Sequence, residues 1–266
     1  MDSKHMIDNS ETASCRNVLA LFNKHSGTGF RSSELFKSLR SSWDNSPEIN
    51  LAYQESKSIE DGRFKVRQAI ASGVDTIIVV GGDGMVNSIG SQLVGTDVKL
   101  TVLPAGSGNG FAHHFDIPTQ MEKAAKALRH GRLIKVDVGY INDHPFFVTT
   151  SLAWDADLVD GFEKSPMRGV APYIFAGIYK YFTYEPQKYT LIVDGKEKVI
   201  ERPLLLTIAN LSEYGGGAKI APNAHADDGQ MWLVAVPHME AYELLPKLRR
   251  LFDGSINKIP ELETFS

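Results

Sequence analysis

One cysteine, Cys15, in 266 residues excludes an intramolecular disulfide and any zinc cluster built on cysteines, and it fits a reducing, cytoplasmic setting. No stretch approaches the roughly 20 apolar residues that cross a bilayer, so contact with lipid is expected to be peripheral. Basic residues are not in excess. The 28 Lys and Arg stand against 32 Asp and Glu, a formal net charge of −4, which removes the electrostatic footprint of a nucleic-acid binder and any general attraction to acidic membranes. Any contact with a membrane would then have to go through a local patch. The first residues, Met1 to Arg16, lack the apolar centre of a signal peptide and read as a disordered leader. Familiar nucleotide signatures are missing too: there is no G-x-x-x-x-G-K-S/T, the glycines at 27, 29, 106, 108 and 110 do not fit G-x-G-x-x-G, and no H-R-D or D-F-G occurs.

What the chain does have is the stretch Val74 to Asn87, an apolar run rich in β-branched residues that breaks into Gly81-Gly82-Asp83-Gly84. Such a run reads as a parallel strand buried on both faces, with a helix opening after the glycines. Backbone N–H groups freed at that junction carry partial positive charge and suit a phosphate. A carboxylate placed there is repelled by phosphate unless it holds a cation or takes a proton from an attacking group, both of which belong to phosphoryl transfer. The structural alternative is that Asp83 merely caps the helix that follows it.

Two further segments repeat the plan. Lys99 to Leu103 runs into Pro104-Ala105-Gly106-Ser107-Gly108-Asn109-Gly110, and Asn17 to Phe22 runs into Asn23-Lys24-His25-Ser26-Gly27-Thr28-Gly29. In an open parallel sheet the ligand sits at the carboxyl ends of the strands, so three such loops are expected on one edge.

Length and patterning predict two cores. Up to about Asp137, strands alternate with helices: strands 17–22, 49–54, 75–80 and 99–103, helices 31–43, 60–72, 85–94 and 121–130, which predicts βαβ units. Beyond it strands dominate, at 134–140, 145–152, 188–194, 197–200, 203–210 and 230–236, with a hairpin turn at Val193 to Lys196. The expected architecture is a doubly wound α/β domain over 17–138, then a mostly antiparallel β-sandwich over 139–266 with a helical insertion. Within that insertion, Ala171 to Tyr184 is the most aromatic segment. It either packs on the sandwich or turns a face to an acyl chain or membrane.

The GGDG element with Asn87, the run Leu103 to Asn109 followed by Phe111-Ala112, and Asn23 with Ser26-Gly27 resemble the diacylglycerol kinase catalytic-domain family. That family includes bacterial lipid kinases, sphingosine kinases and ceramide kinases, and shares GGDG with the NAD kinases. The likeness continues through Asp137-Val138-Gly139, Ser151 to Ala156, Tyr214 to Gly217, Ala221 to Ala224 and Asp227-Asp228-Gly229. The resemblance implies ATP-dependent phosphorylation of a lipid hydroxyl, with Mg2+, by a cytoplasmic protein peripheral to the membrane; a homodimer is among the partners it admits. It places ATP contacts on Asn23, Lys24, His25, Ser26, Gly27, Ser56, Gly81, Gly82, Asp83, Gly84, Met85, Val86, Asn87 and Ser107. It also implies a magnesium held by the Asp228 side chain and the main-chain carbonyls of His225 and Gln230, an oxygen set suited to a hard cation. For Asp227-Asp228-Gly229 the plain alternative is a hairpin turn.

Asp83 is the candidate base, and Asp155 either reaches the substrate head group or is an exposed turn acid. His113 and His114 read as surface residues, with a phosphate role as the alternative. The chain departs from the family pattern at Met85, Ser88 and Gly110, the last removing an acid. The late D-G-E triplet of bacterial members is missing after Asp228. Asp253-Gly254-Ser255 comes nearest but reads as a helix end, so either the last strands lie beyond Ser266 or the base is lost. Two other functions stay open: an NAD kinase-like enzyme acting on a soluble substrate, and a nucleotide-binding regulatory protein without a working base.

Overall fold

A computed structural model of the protein describes residues 16–24, 32–44, 46–154, 181 and 183–265. Every residue of β3 (Thr76–Gly81) is buried and the run Ile77 to Val80 is apolar, so it has no solvent-facing side and can only be an inner strand. Around it form β1 (Arg16–Phe22), β2 (Ile49–Glu55) and β4 (Lys99–Pro104), all parallel, in the order β2-β1-β3-β4. Period-2 alternation divides their side chains between two faces. Leu19, Leu21, Ile77, Val79 and Val102 pack with α2 (Ile59–Ala71) and α3 (Asp83–Gly90). Val18, Ala20, Phe22, Ile78, Val80 and Leu103 pack with α1 (Ser32–Leu39) and α5 (Met121–Arg129). Each fully buried Ile or Val contributes roughly 1.5–3 kcal/mol, so a charge at Ile78 or Val79 would break the sheet. The doubly wound expectation holds, with α2 capped by Ser58, whose hydroxyl accepts the Asp61 N–H at 3.1 Å. A short α4 (Gly110–His114) follows the second glycine loop, and a π-helical turn (Arg40–Asp44) ends the segment expected to be one long helix.

Among its described residues the second half holds an antiparallel sheet and three hairpins. The sheet is ordered β14-β13-β10-β7, from β7 (Thr149–Ser151), β10 (Pro203–Ala209), β13 (Trp232–Pro237) and β14 (Glu263–Phe265). The hairpins are β5–β6 (Gly139–Ile141, His144–Phe146), β8–β9 (Tyr189–Val193, Lys196–Ile200) and β11–β12 (Glu213–Gly215, Ala218–Lys219). Helix α6 (Ala241–Phe252) closes on Asp253, and Gly254 takes φ +73°, the left-handed conformation that ends helices. The expected strand over 134–140 begins only at Gly139. Residues 132–135 are exposed, and Asp137 is bound sideways: its N–H donates to the Ala226 carbonyl (2.6 Å) and its own carbonyl accepts from Asn210 Nδ2 (2.8 Å). The expected strand over 145–152 is interrupted because Val148 turns its carbonyl to the N–H groups of Asn210 and Leu211.

Each half has an apolar cluster of its own, and a further cluster spans both. Phe147, Val148, Leu211 and Ala226 belong to the cluster that contains Val86 and Ile89, and Phe147 lies so close to Gly90 that a Cβ there would meet its ring at 2.9 Å.

Candidate functional site

The carboxyl ends of three strands adjoin: Phe22 lies opposite Val80, and Gly81 opposite Pro104. Asn23 and Lys24 leave β1 there, and Lys24 Nζ meets the Glu55 carboxylate at the end of β2 at 2.5 Å. Glycine is required at two points of this edge. A Cβ on Gly106 would stand 2.4 Å from the Gly82 Cα, so the GGDG loop and the second loop touch backbone to backbone. Asn109, in the left-handed region at φ 54°, locks the second loop: its Oδ1 accepts the Gly106 N–H (2.8 Å) and its Nδ2 donates to the Gly106 carbonyl (2.9 Å).

Asp83 binds the two loops together. Its Oδ2 accepts the N–H of Gly110 at 2.9 Å and its Oδ1 that of Phe111 at 2.8 Å, so the carboxylate caps α4, which lies 27 residues further along the chain. The structural alternative, that Asp83 caps the helix it precedes, does not hold: α3 has no side-chain cap, and the carboxylate serves α4 instead. A third glycine turn completes the edge from the second half of the chain. Gly216 donates its N–H to the Gly108 carbonyl at 2.7 Å, and Gly215, at φ +128°, lies against the Gly108 backbone. At position 110 a Cβ would approach the Tyr214 carbonyl oxygen to 2.7 Å, so the departure at Gly110 accompanies a docked hairpin with no room for a side chain.

The donor set fits a phosphate chain. Met85 and Val86 give their N–H groups to the Gly82 carbonyl, leaving those of Asp83 and Gly84 without a helical partner at the start of α3. A Cβ on Gly84 would meet nothing within 4 Å, so the helix start is open. Asn87, one turn on, could donate from Nδ2, while its buried Oδ1, without a hydrogen-bond partner among the described residues, is an acceptor that suits a ligand N–H or O–H and not a phosphate oxygen. Ser107 is exposed at the lip of the second loop. Other expected contacts are placed differently. Val86 has its side chain in the core and Met85 lies against Gly81, so any contact from Val86 is through its main chain. Ser56 is 6% exposed, with its hydroxyl donated to the Ser58 carbonyl at 2.8 Å. His25, Ser26, Gly27 and Asp155 lie outside the described residues.

The expected magnesium ligands gather in one turn. Asp228 accepts the N–H groups of Gln230 (Oδ1, 2.9 Å) and His225 (Oδ2, 3.3 Å), while the neighbouring Gly229 N–H goes to Asp137 at 2.7 Å. The turn therefore ties down the segment joining the two halves. Each Asp228 oxygen retains a lone pair, and with the two carbonyls the set suits a hard cation. Among the described residues no group of three or more His, Cys, Asp or Glu gathers to hold a metal.

His114 is half-buried, not a surface residue. Ser212 donates its N–H to Nδ1 at 3.2 Å, with its hydroxyl 2.8 Å away, so the neutral ring carries its proton on Nε2. Burial first, and then the field of His225, hold the imidazole below its ordinary value of 6.5, with Asp116 opposing. Sequence reasoning did not find this contact across the two halves, nor the docking of Tyr214 to Gly217. Three consecutive glycines after a tyrosine were the visible signal for the latter.

A doubly wound sheet whose glycine turns meet around one carboxylate defines an α/β domain with a glycine-lined rim at the carboxyl ends of its strands. Comparison with known proteins narrows the class. Residues 17–141 match the diacylglycerol kinase catalytic domain, and residues 152–266 match the YegS C-terminal NAD kinase beta sandwich-like domain. A diacylglycerol kinase of Mycobacterium tuberculosis is 31% identical over 212 residues, 77% of this chain and 68% of that protein. A "Probable lipid kinase YegS-like" of Chromohalobacter salexigens is 31% identical over 77% of this chain and 66% of its own length. The crystal structure of a diacylglycerol kinase from Bacillus anthracis superposes with a TM-score of 0.68 at 22% identity, covering 94% of this chain and 83% of that one, a likeness of fold. The chain belongs to the diacylglycerol kinase catalytic-domain family of lipid kinase-like proteins.

Proposed function

We propose that the protein is an ATP-dependent lipid kinase that moves the γ-phosphoryl group of ATP to the hydroxyl of a diacylglycerol-like or sphingoid-like lipid. The observation that carries this reading is the Asp83 carboxylate binding the GGDG turn to the start of α4, which fixes two phosphate-facing loops in one rim. Phosphoryl transfer needs positioning and charge neutralisation more than covalent help. The N–H groups of Asp83 and Gly84 orient phosphate oxygens, the Asn87 amide and the Ser107 hydroxyl supply further hydrogen bonds, and Asn23 and Lys24 border the same edge. Magnesium, when bound, offsets the triphosphate charge. Asp83 keeps a lone pair on each oxygen beyond its two N–H bonds, and it is the proposed acid–base group. Asp228 with the carbonyls of His225 and Gln230 is the proposed site of a second, structural magnesium. Asp155 is the proposed contact to the lipid head group. The proposed place of action is the cytoplasm, at a lipid surface; no helix among the described residues is long and apolar enough to cross a membrane.

The test is transfer of label from radiolabelled ATP, with magnesium, to diacylglycerol, sphingosine, ceramide and NAD side by side. Label in a lipid is the expected result. A second reading, a kinase of a soluble nucleotide, draws on the NAD kinase-like description of the domain matched by residues 152–266. Label in NAD alone would establish it, and ATP binding with no labelled acceptor would leave a regulatory protein.

A further inference from the structure

Helix α6 has no fully buried residue; Leu251 packs toward the sheet, while a second set of apolar side chains faces outward. Tyr242 is 73% exposed, Leu245 65%, Leu248 41% and Phe252 59%. Spacings of three and four put Tyr242, Leu245, Arg249 and Phe252 in one line, with Leu248 beside it. A cation at the centre of an exposed apolar line does not suit a protein core, but it suits the boundary between acyl chains and phosphates, where Arg places its stem in the apolar layer and its head among the phosphates.

Beside this stripe a cleft of about 600 Å³ opens between α6 and the turn that follows it, lined by Pro246, Arg249, Arg250, Asp253, Ser255 and Lys258. Three cations face one acid there, and that acid is engaged: Asp253 accepts the N–H (2.9 Å) and hydroxyl of Ser255 and lies 3.5 Å from Arg249. Of the other acids near the helix, Glu261 is paired with Lys247 at 3.0 Å, and Glu240 and Glu243 stand at the opposite, N-terminal end. The C-terminal half of α6 and its turn therefore form a local basic patch on a chain of net charge −4.

This surface lies close to the candidate site. Gly254 sits against the Lys219 side chain of β12, and β12 is the hairpin partner of β11, whose Gly215 rests on the Gly108 loop. At the other end of the helix, Tyr181 donates its hydroxyl to the Met239 carbonyl at 2.6 Å.

We propose that α6 and the turn through Lys258 form a docking surface for an anionic phospholipid bilayer, with Tyr242, Leu245, Leu248 and Phe252 entering the acyl boundary and Arg249, Arg250 and Lys258 holding lipid phosphates. The inference rests on the lipid kinase reading for its purpose, but its test does not depend on activity. Binding of the protein is measured by co-sedimentation with vesicles of phosphatidylcholine mixed with phosphatidylglycerol, and with vesicles of phosphatidylcholine alone. The parent binds the mixed vesicles more tightly. Leu245→Ser with Phe252→Ser lowers that affinity by about tenfold or more. Arg249→Gln, Arg250→Gln and Lys258→Gln together remove roughly fivefold per cation and abolish the preference for the anionic lipid. These side chains pack into no core, so the variants keep the parent's circular dichroism. Equal binding of parent and variants to mixed vesicles overturns the proposal, and so does a dimer that becomes monomeric when the stripe is replaced. Phosphorylation of a monomeric short-chain diacylglycerol separates the two readings. If docking fails, that turnover persists in a protein indifferent to vesicles; if the kinase reading fails, the vesicle results stand without any labelled lipid.

Discussion

Asp83 accepts two backbone N–H groups from a helix 27 and 28 residues away, which makes it a structural tie between the two glycine loops as well as the proposed acid–base group. Hydrogen bonds to a charged partner contribute about 1.5–3 kcal/mol each, and an amide in its place turns an NH2 toward one of the two N–H donors. Asp83→Asn is therefore expected to lower the ligand-free unfolding free energy by about 2 kcal/mol, measured by urea titration, and to reduce turnover on the order of a hundredfold through displaced loops. A group acting only as a base would leave the ligand-free stability unchanged. Gly106 makes the same argument from sterics. A methyl group 2.4 Å from the Gly82 Cα must push the loops apart, so Gly106→Ala is expected to destabilise by about 1–3 kcal/mol and to weaken nucleotide binding measured by calorimetry.

Helix α4 spans five residues, too short to persist without its neighbours. It is held at its start by Asp83 and at its end by His114 against Ser212. That second contact titrates. The folded state holds the His114 imidazole below the ordinary 6.5, so the unfolded chain binds the proton more readily. The contribution of this contact is fully present above about pH 6.5 and is lost as pH falls from there toward the depressed folded value. His114→Gln keeps an acceptor for the Ser212 N–H without a proton to gain, so it is expected to flatten the acid side of the stability profile below pH 6.5, followed by thermal melts across pH. The strands that position these parts were legible because β1, β3 and β4 are apolar, β-branched runs ending in turn residues. The elements that complete the site were not. Helix α4 and strands β11 and β12 have no period of their own, and they form because Asp83, Gly108 and Gly215 meet from distant parts of the chain. GGDG showed that an acid stood in a phosphate turn, but nothing local to it named Gly110 and Phe111 as its partners. The helical character of 242–252 was equally visible, whereas its outward apolar line emerges only once the sheet leaves that side uncovered.

Across the whole molecule, the segment joining the two halves is bound rather than loose. Asn210, fully buried, donates to the carbonyls of both Asp137 and Phe147, and the Asp228 turn reaches Asp137 through the Gly229 N–H. Beneath this tie Phe147 fills the space over Gly90, in the same cluster as Val86 and Ile89, which stand behind the GGDG turn. Two halves that share a cluster cannot lose it separately, so a defect there should be felt on both sides. Phe147→Ala removes the ring and leaves a cavity, which destabilises by about 3–5 kcal/mol. Trp43, whose Nε1 donates to the Ala125 carbonyl, reports on the first half, and Trp232, on β13, reports on the second. In single-tryptophan variants that retain one or the other, Phe147→Ala is expected to shift both urea transitions together and by the same amount. Movement of the Trp232 transition alone would mean that the halves unfold as independent units and that the contact between Phe147 and Gly90 does not couple them.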